Sequence, residues 1–217
     1  MKKILTTAIL CAGLVGFTAC DSFLDEEPKS SLTLDTYYKT SADIIGNVNY
    51  LYRDGAPDKM GNMTGAYRGS SLSVMNMVTG YFVNEYEGQE VDCSYARQLT
   101  RQNFTQSCCN YLTNDTWKGC YKSINVANAV IKYVDGVEMD GQAQYKAEAR
   151  FFRALNYFYL VKMFGDVPMI TEPTEDATLV EYPARTAASE VYKTVIIPDL
   201  QFAVENLPDA KTEDRKS

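Results

Sequence analysis

Residues able to do acid–base or nucleophilic work are few in this chain, and their types restrict the chemistry sharply. It contains no His, so neither a Ser-His-Asp nor a Cys-His nucleophilic system can be assembled, nor a His-ligated zinc, iron or copper site. Carboxylate chemistry remains open in principle. Glu85, Glu87, Asp92 and Asp115 are available, but a glycoside hydrolase needs two acids about 5–10 Å apart across a cleft, and nothing in their spacing pairs them. Thiol catalysis lacks a base to activate a Cys. There is no GxxxxGK[ST] loop, GxGxxG turn, CxxC pair or DxDxDG loop, which removes the common phosphate, dinucleotide, metal-knuckle and calcium motifs. The expectation is a protein without catalytic residues, metal or cofactor. Glu148, Arg150 and Arg153 resemble an ion-pair cluster, yet they sit within an apolar helical pattern and are expected to serve structure.

What remains is chemistry of attachment and of contact. Lys2 and Lys3 precede an apolar run from Ile4 to Val15, and Gly16-Phe17-Thr18-Ala19-Cys20 follows, the layout of an export signal. The run is well short of the ~20 residues of a membrane-spanning helix. Cys20, directly after small Ala19, resembles the lipid-accepting thiol of a bacterial lipobox, although Phe17 stands where Leu is usual. Cleavage there would remove Lys2 and Lys3 and no acid, so a net charge of -7 would become -9. Such a chain is repelled by anionic headgroups and by nucleic acid. Of the remaining thiols, Cys93, Cys108, Cys109 and Cys120 allow one or two disulfides in an oxidising compartment, with three pairings open.

Contact chemistry points to the aromatic residues, which include 16 Tyr and 9 Phe against 1 Trp. Between Gly55 and Cys109 periodicity is weak, and six of the 13 Gly alternate with Tyr, Asn and Ser; long irregular stretches of this kind are often functional loops. Tyr67, Tyr81, Phe82, Tyr86 and Tyr95 lie here, and exposed rings of this type stack on sugar faces while Asn and Gln bond the hydroxyls. Trp117 falls in a helical stripe and is expected in the core.

The elements that position these residues read as helices. Thr40 or Ser41 caps a first helix from about Ala42 to Arg53, with Ile44, Ile45, Val48, Leu51 and Tyr52 at helical spacing. Asn114 or Asp115 opens a second, carrying Trp117, Tyr121, Ile124, Asn128 and Ile131 and ending at Gly136. Asp140 is expected to cap a third, Gln142 to Phe164, with one apolar stripe of Tyr145, Ala149, Phe152, Tyr159 and Met163 and a second of Phe151, Leu155 and Phe158, hence neighbours on both sides. Gly165 and Pro168 close it. A last helix, near Ser189 to Glu205, presents Val191, Val195, Phe202 and Leu207 and is expected to kink at Pro198. The organisation read is a signal peptide over 1–19, a lipidated tether over 20–34 and a helical domain over 35–217 that looks incomplete, because stacked hairpins need a further unit or cap to cover the last apolar face.

These motifs resemble the SusD/RagB family of nutrient-binding outer-membrane lipoproteins from Bacteroidetes. Phe23-Leu24-Asp25 and Pro28 follow Cys20, and Thr40-Ser41-Ala42-Asp43 begins the first helix. Trp117-x-x-x-Tyr121-x-x-Ile124-Asn125-x-x-Asn128 comes next. The most specific stretch is Lys146-Ala147-Glu148-Ala149-Arg150-Phe151-Phe152-Arg153-Ala154, continuing through Tyr157-Phe158 to Phe164-Gly165-Asp166-Val167-Pro168. Arg185, Glu190-Val191-Tyr192, Asp199-Leu200 and Leu207-Pro208 complete the pattern. The resemblance implies an all-α fold of tetratricopeptide-like hairpins with long irregular loops. It also implies lipid attachment at Cys20 and a place on the outer face of the outer membrane. A TonB-dependent (SusC-like) transporter would be its partner, and the captured ligand a starch or other glycan fragment, or a peptide in some members. The competing expectations are an exported helical-repeat adaptor that binds only protein, and a truncated remnant without a ligand.

Overall fold

The computed structural model describes residues 33–55, 78–83, 97–98, 100–103, 116–174 and 183–208. Cys20, Tyr67, Tyr86, Tyr95, Cys93, Cys108, Cys109 and the helix-opening pair Asn114 and Asp115 lie outside them. The described residues from Leu34 onward belong to one compact unit.

A short helix α1 (Leu34–Tyr37) leads into α2 (Ser41–Tyr50), which widens into a π-helical turn at Leu51–Gly55. Thr40 opens α2 from an extended backbone: its N–H and hydroxyl donate to Asp43 Oδ2 at 2.8 and 2.7 Å. Those bonds hold the Asp43 carboxyl below its ordinary range, the Thr40 hydroxyl foremost. The bond from the Thr40 N–H satisfies a donor that the helix N-terminus leaves open.

Helices α3 (Lys118–Tyr133) and α4 (Gln142–Phe164) form the central hairpin, joined through a 3₁₀ turn at Val134–Gly136. Asp140 does not cap α4. Gly141 occupies that position at φ 75° and no side-chain cap bond is made; Gln142 Nε2 donates back to the Val134 and Val137 carbonyls at 3.3 and 2.6 Å, tying the start of α4 to the preceding turn. The last helical stretch begins with α5 (Ala188–Val191), passes through a π-helical turn at Tyr192–Ile196 and continues as α6 (Ile197–Asn206). The break therefore lies just before Pro198, which sits in the first turn of α6 where its missing N–H is harmless.

Two apolar clusters hold the helices. Ile44, Val48 and Leu51 of the first helical stretch meet Ala127, Val130, Val134, Ala149 and Phe152, while Cys120, Ile124, Tyr157, Leu160 and Val161 meet Val167, Val191, Val195 and Ile196. Fully burying each aliphatic side chain contributes about 1.5–3 kcal/mol. Alanines at 127, 147, 149 and 154 are buried, and such small side chains let helix backbones approach closely.

The α4 stripes differ from the sequence pattern. Its buried phase runs through Ala149, Phe152, Arg153, Asn156, Tyr157 and Leu160, so polar residues occupy core positions that an apolar count passes over. Phe151 and Phe158, expected to face a neighbour, are 38% and 37% exposed, with only Leu155 of that stripe packed against the core. On α6, Phe202 and Leu207 are half-buried, whereas Asp199 and Ala203 join Val195 inside. Helix α4 ends at Gly165, with φ 69° and ψ −125°, a backbone region open essentially to Gly. A Cβ there would meet nothing within 4 Å, so Gly165→Ala isolates the backbone term. It is expected to lower stability by about 1–3 kcal/mol in urea titrations; an unchanged midpoint would contradict the assignment.

Candidate functional site

From Gly165 to Thr174 the chain leaves α4 with little regular structure, and only a two-residue antiparallel ladder forms between β1 (Val167–Pro168) and β2 (Arg185–Thr186). Its backbone groups must find other partners, and the motif residues of α3 and α4 supply them. Tyr121 Oη donates to the Pro168 carbonyl at 2.6 Å. Tyr157 Oη donates to the Ile170 carbonyl at 2.9 Å and accepts the Ile170 N–H at 2.7 Å. Asn128 Nδ2 reaches the carbonyls of Ile170 and Glu172 at 3.0 and 3.2 Å, and Asn125 Oδ1 accepts the Thr174 N–H at 2.7 Å. At the near end, Arg185 donates to the Asp166 carbonyl at 2.6 Å, while Asp166 Oδ1 accepts the Ala188 N–H that opens α5.

Beneath this segment is the one buried bidentate ion pair among the described residues. Arg153 Nε and Nη2 donate to Asp199 Oδ2 and Oδ1 at 2.7 and 2.9 Å, and Arg153 Nη1 donates to Asn128 Oδ1 at 2.9 Å. Arg150 stands 3.8 Å from the same carboxylate, with its guanidinium over the Phe202 ring at 4.2 Å. The cluster therefore joins α3, α4 and α6, and offers no reacting pair to a substrate. Glu148, also buried, accepts from Gln144 Nε2 at 3.0 Å. Sequence reasoning passed over Asp199 as a partner; the available signal was an acid four residues from both Val195 and Ala203, on the buried phase of its helix.

Trp117 is half-buried, edge-on to Phe164 at 5.1 Å and tilted against Tyr121 at the same distance, with the Arg185 guanidinium 5.8 Å from its ring. This is a packing position, as its stripe implied. Cys120 is a free thiol in the core, so none of the three two-disulfide pairings, each of which includes it, is made. Burial pushes this thiol up to about 12 from an ordinary 9.0. Burial likewise raises Tyr157 to about 12, against the opposing pull of the Ile170 N–H, and moves Tyr38 and Tyr121 upward.

Each group is neutral when folded and ionises earlier when unfolded. Their contribution is complete below pH 9–10 and is lost as pH rises toward 12. The urea midpoint is expected to hold from pH 7 to 9 and to fall above about pH 10, with phenolate absorbance from the buried tyrosines appearing only on unfolding. Full phenol titration near pH 10 in a folded chain would contradict this.

Of the contact residues expected from sequence, Tyr81 and Phe82 are described. They follow a turn at Val78–Gly80 in which Gly80 has φ 79°, and they are 88% and 58% exposed, with Val83 open beside them. The Tyr81 N–H donates to Thr79 Oγ1 at 3.3 Å. These two adjacent rings turned to solvent are the candidate ligand surface; whether Tyr67, Tyr86 and Tyr95 join them lies outside the described residues. Among the described residues no group of His, Cys, Asp and Glu could hold a metal, and no helix is long and apolar enough to cross a membrane.

Helical hairpins with polar side chains stapling an irregular segment, and two exposed aromatic rings beside a turn, place the described residues in the tetratricopeptide-like helical class. Residues 22–217 match the SusD-like family model described as starch-binding and associating with the outer membrane, and the chain belongs to this family. It is 30% identical over 214 residues to SusD-like protein P2 of Formosa agariphila, covering 97% of this chain and 39% of that protein. A SusD-like protein of Bacteroides ovatus is 28% identical, with 98% and 35% covered. Among solved structures, a laminarin-binding SusD-like protein superposes with a TM-score of 0.68 at 26% identity, over 82% of this chain and 37% of that one. A SusD superfamily protein of Parabacteroides distasonis gives 0.58 at 25% identity, over 81% and 35%. The chain thus spans less than two fifths of the length of these relatives.

Proposed function

We propose that this protein is a non-catalytic, surface-exposed lipoprotein of the outer membrane that binds glycans, starch or other polysaccharide fragments, and delivers them to a partner TonB-dependent transporter. The observation that carries the reading is the SusD-like match across residues 22–217. The sequence relation to a laminarin-binding protein supports a glycan ligand. Cys20 carries the lipid, and the loop aromatics Tyr67, Tyr81, Phe82, Tyr86 and Tyr95 supply stacking faces. The chemistry of such a site is simple: flat rings cover the apolar C–H face of a sugar, and neighbouring amides take its hydroxyls.

Isothermal titration with starch and laminarin oligosaccharides tests it. Saturable binding that is weakened at least about tenfold by Tyr81→Ala with Phe82→Ala, without release of reducing sugar, is the expected result. Failure to bind any oligosaccharide, with co-purification of a transporter, would replace it with the protein-binding adaptor.

A further inference from the structure

Gln102 is the only residue other than Gly with a positive φ among the described residues, at 52°. It terminates a helical turn in which Arg101 N–H donates to the Arg97 carbonyl at 3.0 Å and Asn103 N–H to the Gln98 carbonyl at 2.8 Å. The second bond, spanning six residues around a left-handed one, is the Schellman type of helix ending, and the left-handed position in it is usually Gly because a Cβ crowds the backbone there. Gln in that place carries a local backbone cost.

Its side chain offers a reason. Gln102 Nε2 donates at 3.4 Å to the carbonyl of Val78, 24 residues earlier, the first residue of the turn that projects Tyr81 and Phe82. A Gly at 102 would relax the turn and lose this tie. We propose that Gln102 is a positioning residue that pre-orders the Val78–Val83 turn, so that the rings of Tyr81 and Phe82 meet a sugar without first having to be fixed in place. Pre-ordering matters because immobilising a loop on binding subtracts directly from affinity. A locally strained residue away from any core, bonded to a loop bearing exposed aromatics, is the pattern expected where strain serves recognition. The inference rests on the glycan-binding reading for its ligand, and on the turn alone for its mechanism.

The experiment compares the full chain with Gln102→Gly and Gln102→Ala by two measurements. Amide order parameters of Tyr81, Phe82 and Val83 in the absence of ligand report the tie directly; titration with laminarin oligosaccharides reports its use. Both variants are expected to lower the order of these amides and to weaken binding at least about threefold. Gln102→Gly is also expected to keep or raise the melting temperature, since it removes the left-handed strain, so stability and affinity move apart as a general structural defect would not allow. Unchanged order parameters overturn the proposal whatever the ligand. Changed order with wild-type affinity in both variants overturns the positioning role while leaving glycan binding intact. No binding by the wild type would sink the glycan reading and, with it, the use assigned to the tie.

Discussion

Arg153→Ala is expected to destabilise the fold by roughly 3–5 kcal/mol, lowering the melting temperature by on the order of 6–20 °C for a chain of this size. Arg153 and Asp199 are 8% and 2% exposed, so the lost partner cannot be replaced by bulk water. The remaining carboxylate would keep only Arg150 at 3.8 Å, beyond hydrogen-bond reach. Asn128 would lose its Arg153 donor and with it part of the geometry that aims its amide at Ile170 and Glu172. Asp199→Asn is expected to cost a similar amount, because it leaves Arg150 and Arg153 facing each other without a counter-charge. Arg153→Lys is expected to fail as a rescue, since an ammonium cannot make the two parallel bonds at 2.7 and 2.9 Å.

The discriminating measurement is the double variant Arg153→Met with Asp199→Leu. A buried pair exchanged for apolar residues of similar volume is often neutral or favourable, so the double variant is expected to recover most of the loss in urea titrations. If it is as unstable as either single variant, the cluster holds the 165–174 segment through its hydrogen bonds rather than through paired charge. If Arg153→Ala alone is silent, the ion pair does not hold α4 and α6 together.

The parts of this fold that sequence made legible are those where one period dominates. Helix α4 has the bounds that its composition and Gly165 dictate, and the Thr40–Asp43 start of α2 follows from a capping residue three places before an acid. Legibility failed where polar residues occupy buried phases. An apolar count places Phe151 and Phe158 inside and leaves Asn156 and Asp199 aside; Arg153 is expected to serve structure, but its partner Asp199 is not, because hydrophobicity alone does not register that a fully bonded Arg–Asp pair can fill a core position. The end of α4's cap failed for another reason: Gly141 in a left-handed conformation and a side-chain bond from Gln142 replaced Asp140, a choice set by the geometry of the 134–141 turn. For the candidate site, composition pointed to loop aromatics, and Tyr81 and Phe82 do face solvent. Gln102 carried no signal of its own, since its role depends on a backbone torsion and on a carbonyl 24 residues away.

The lipid anchor carries the other large effect. In the proposed lipoprotein, Cys20→Ser is expected to move the protein wholly from the membrane fraction to the soluble one and to abolish incorporation of labelled palmitate. Each buried methylene contributes about 0.8 kcal/mol, so that a single acyl chain holds a protein only marginally while several hold it stably. In that lipoprotein, cleavage before Cys20 would remove Lys2 and Lys3 and take the net charge from -7 to -9, which anionic headgroups would repel. Cys11→Ser is the matched control and is expected to leave anchoring intact, because bulky Leu10 precedes that thiol inside the apolar run. Washing the membranes at about 1 M salt, where the screening length falls to about 3 Å, separates the lipid from any electrostatic attachment. Retention of Cys20→Ser through that wash, with palmitate still incorporated, would remove Cys20 as the anchor. Retention without palmitate would instead mean that a bound partner or the uncleaved apolar run Ile4–Val15, and not a lipid, keeps the protein at the membrane.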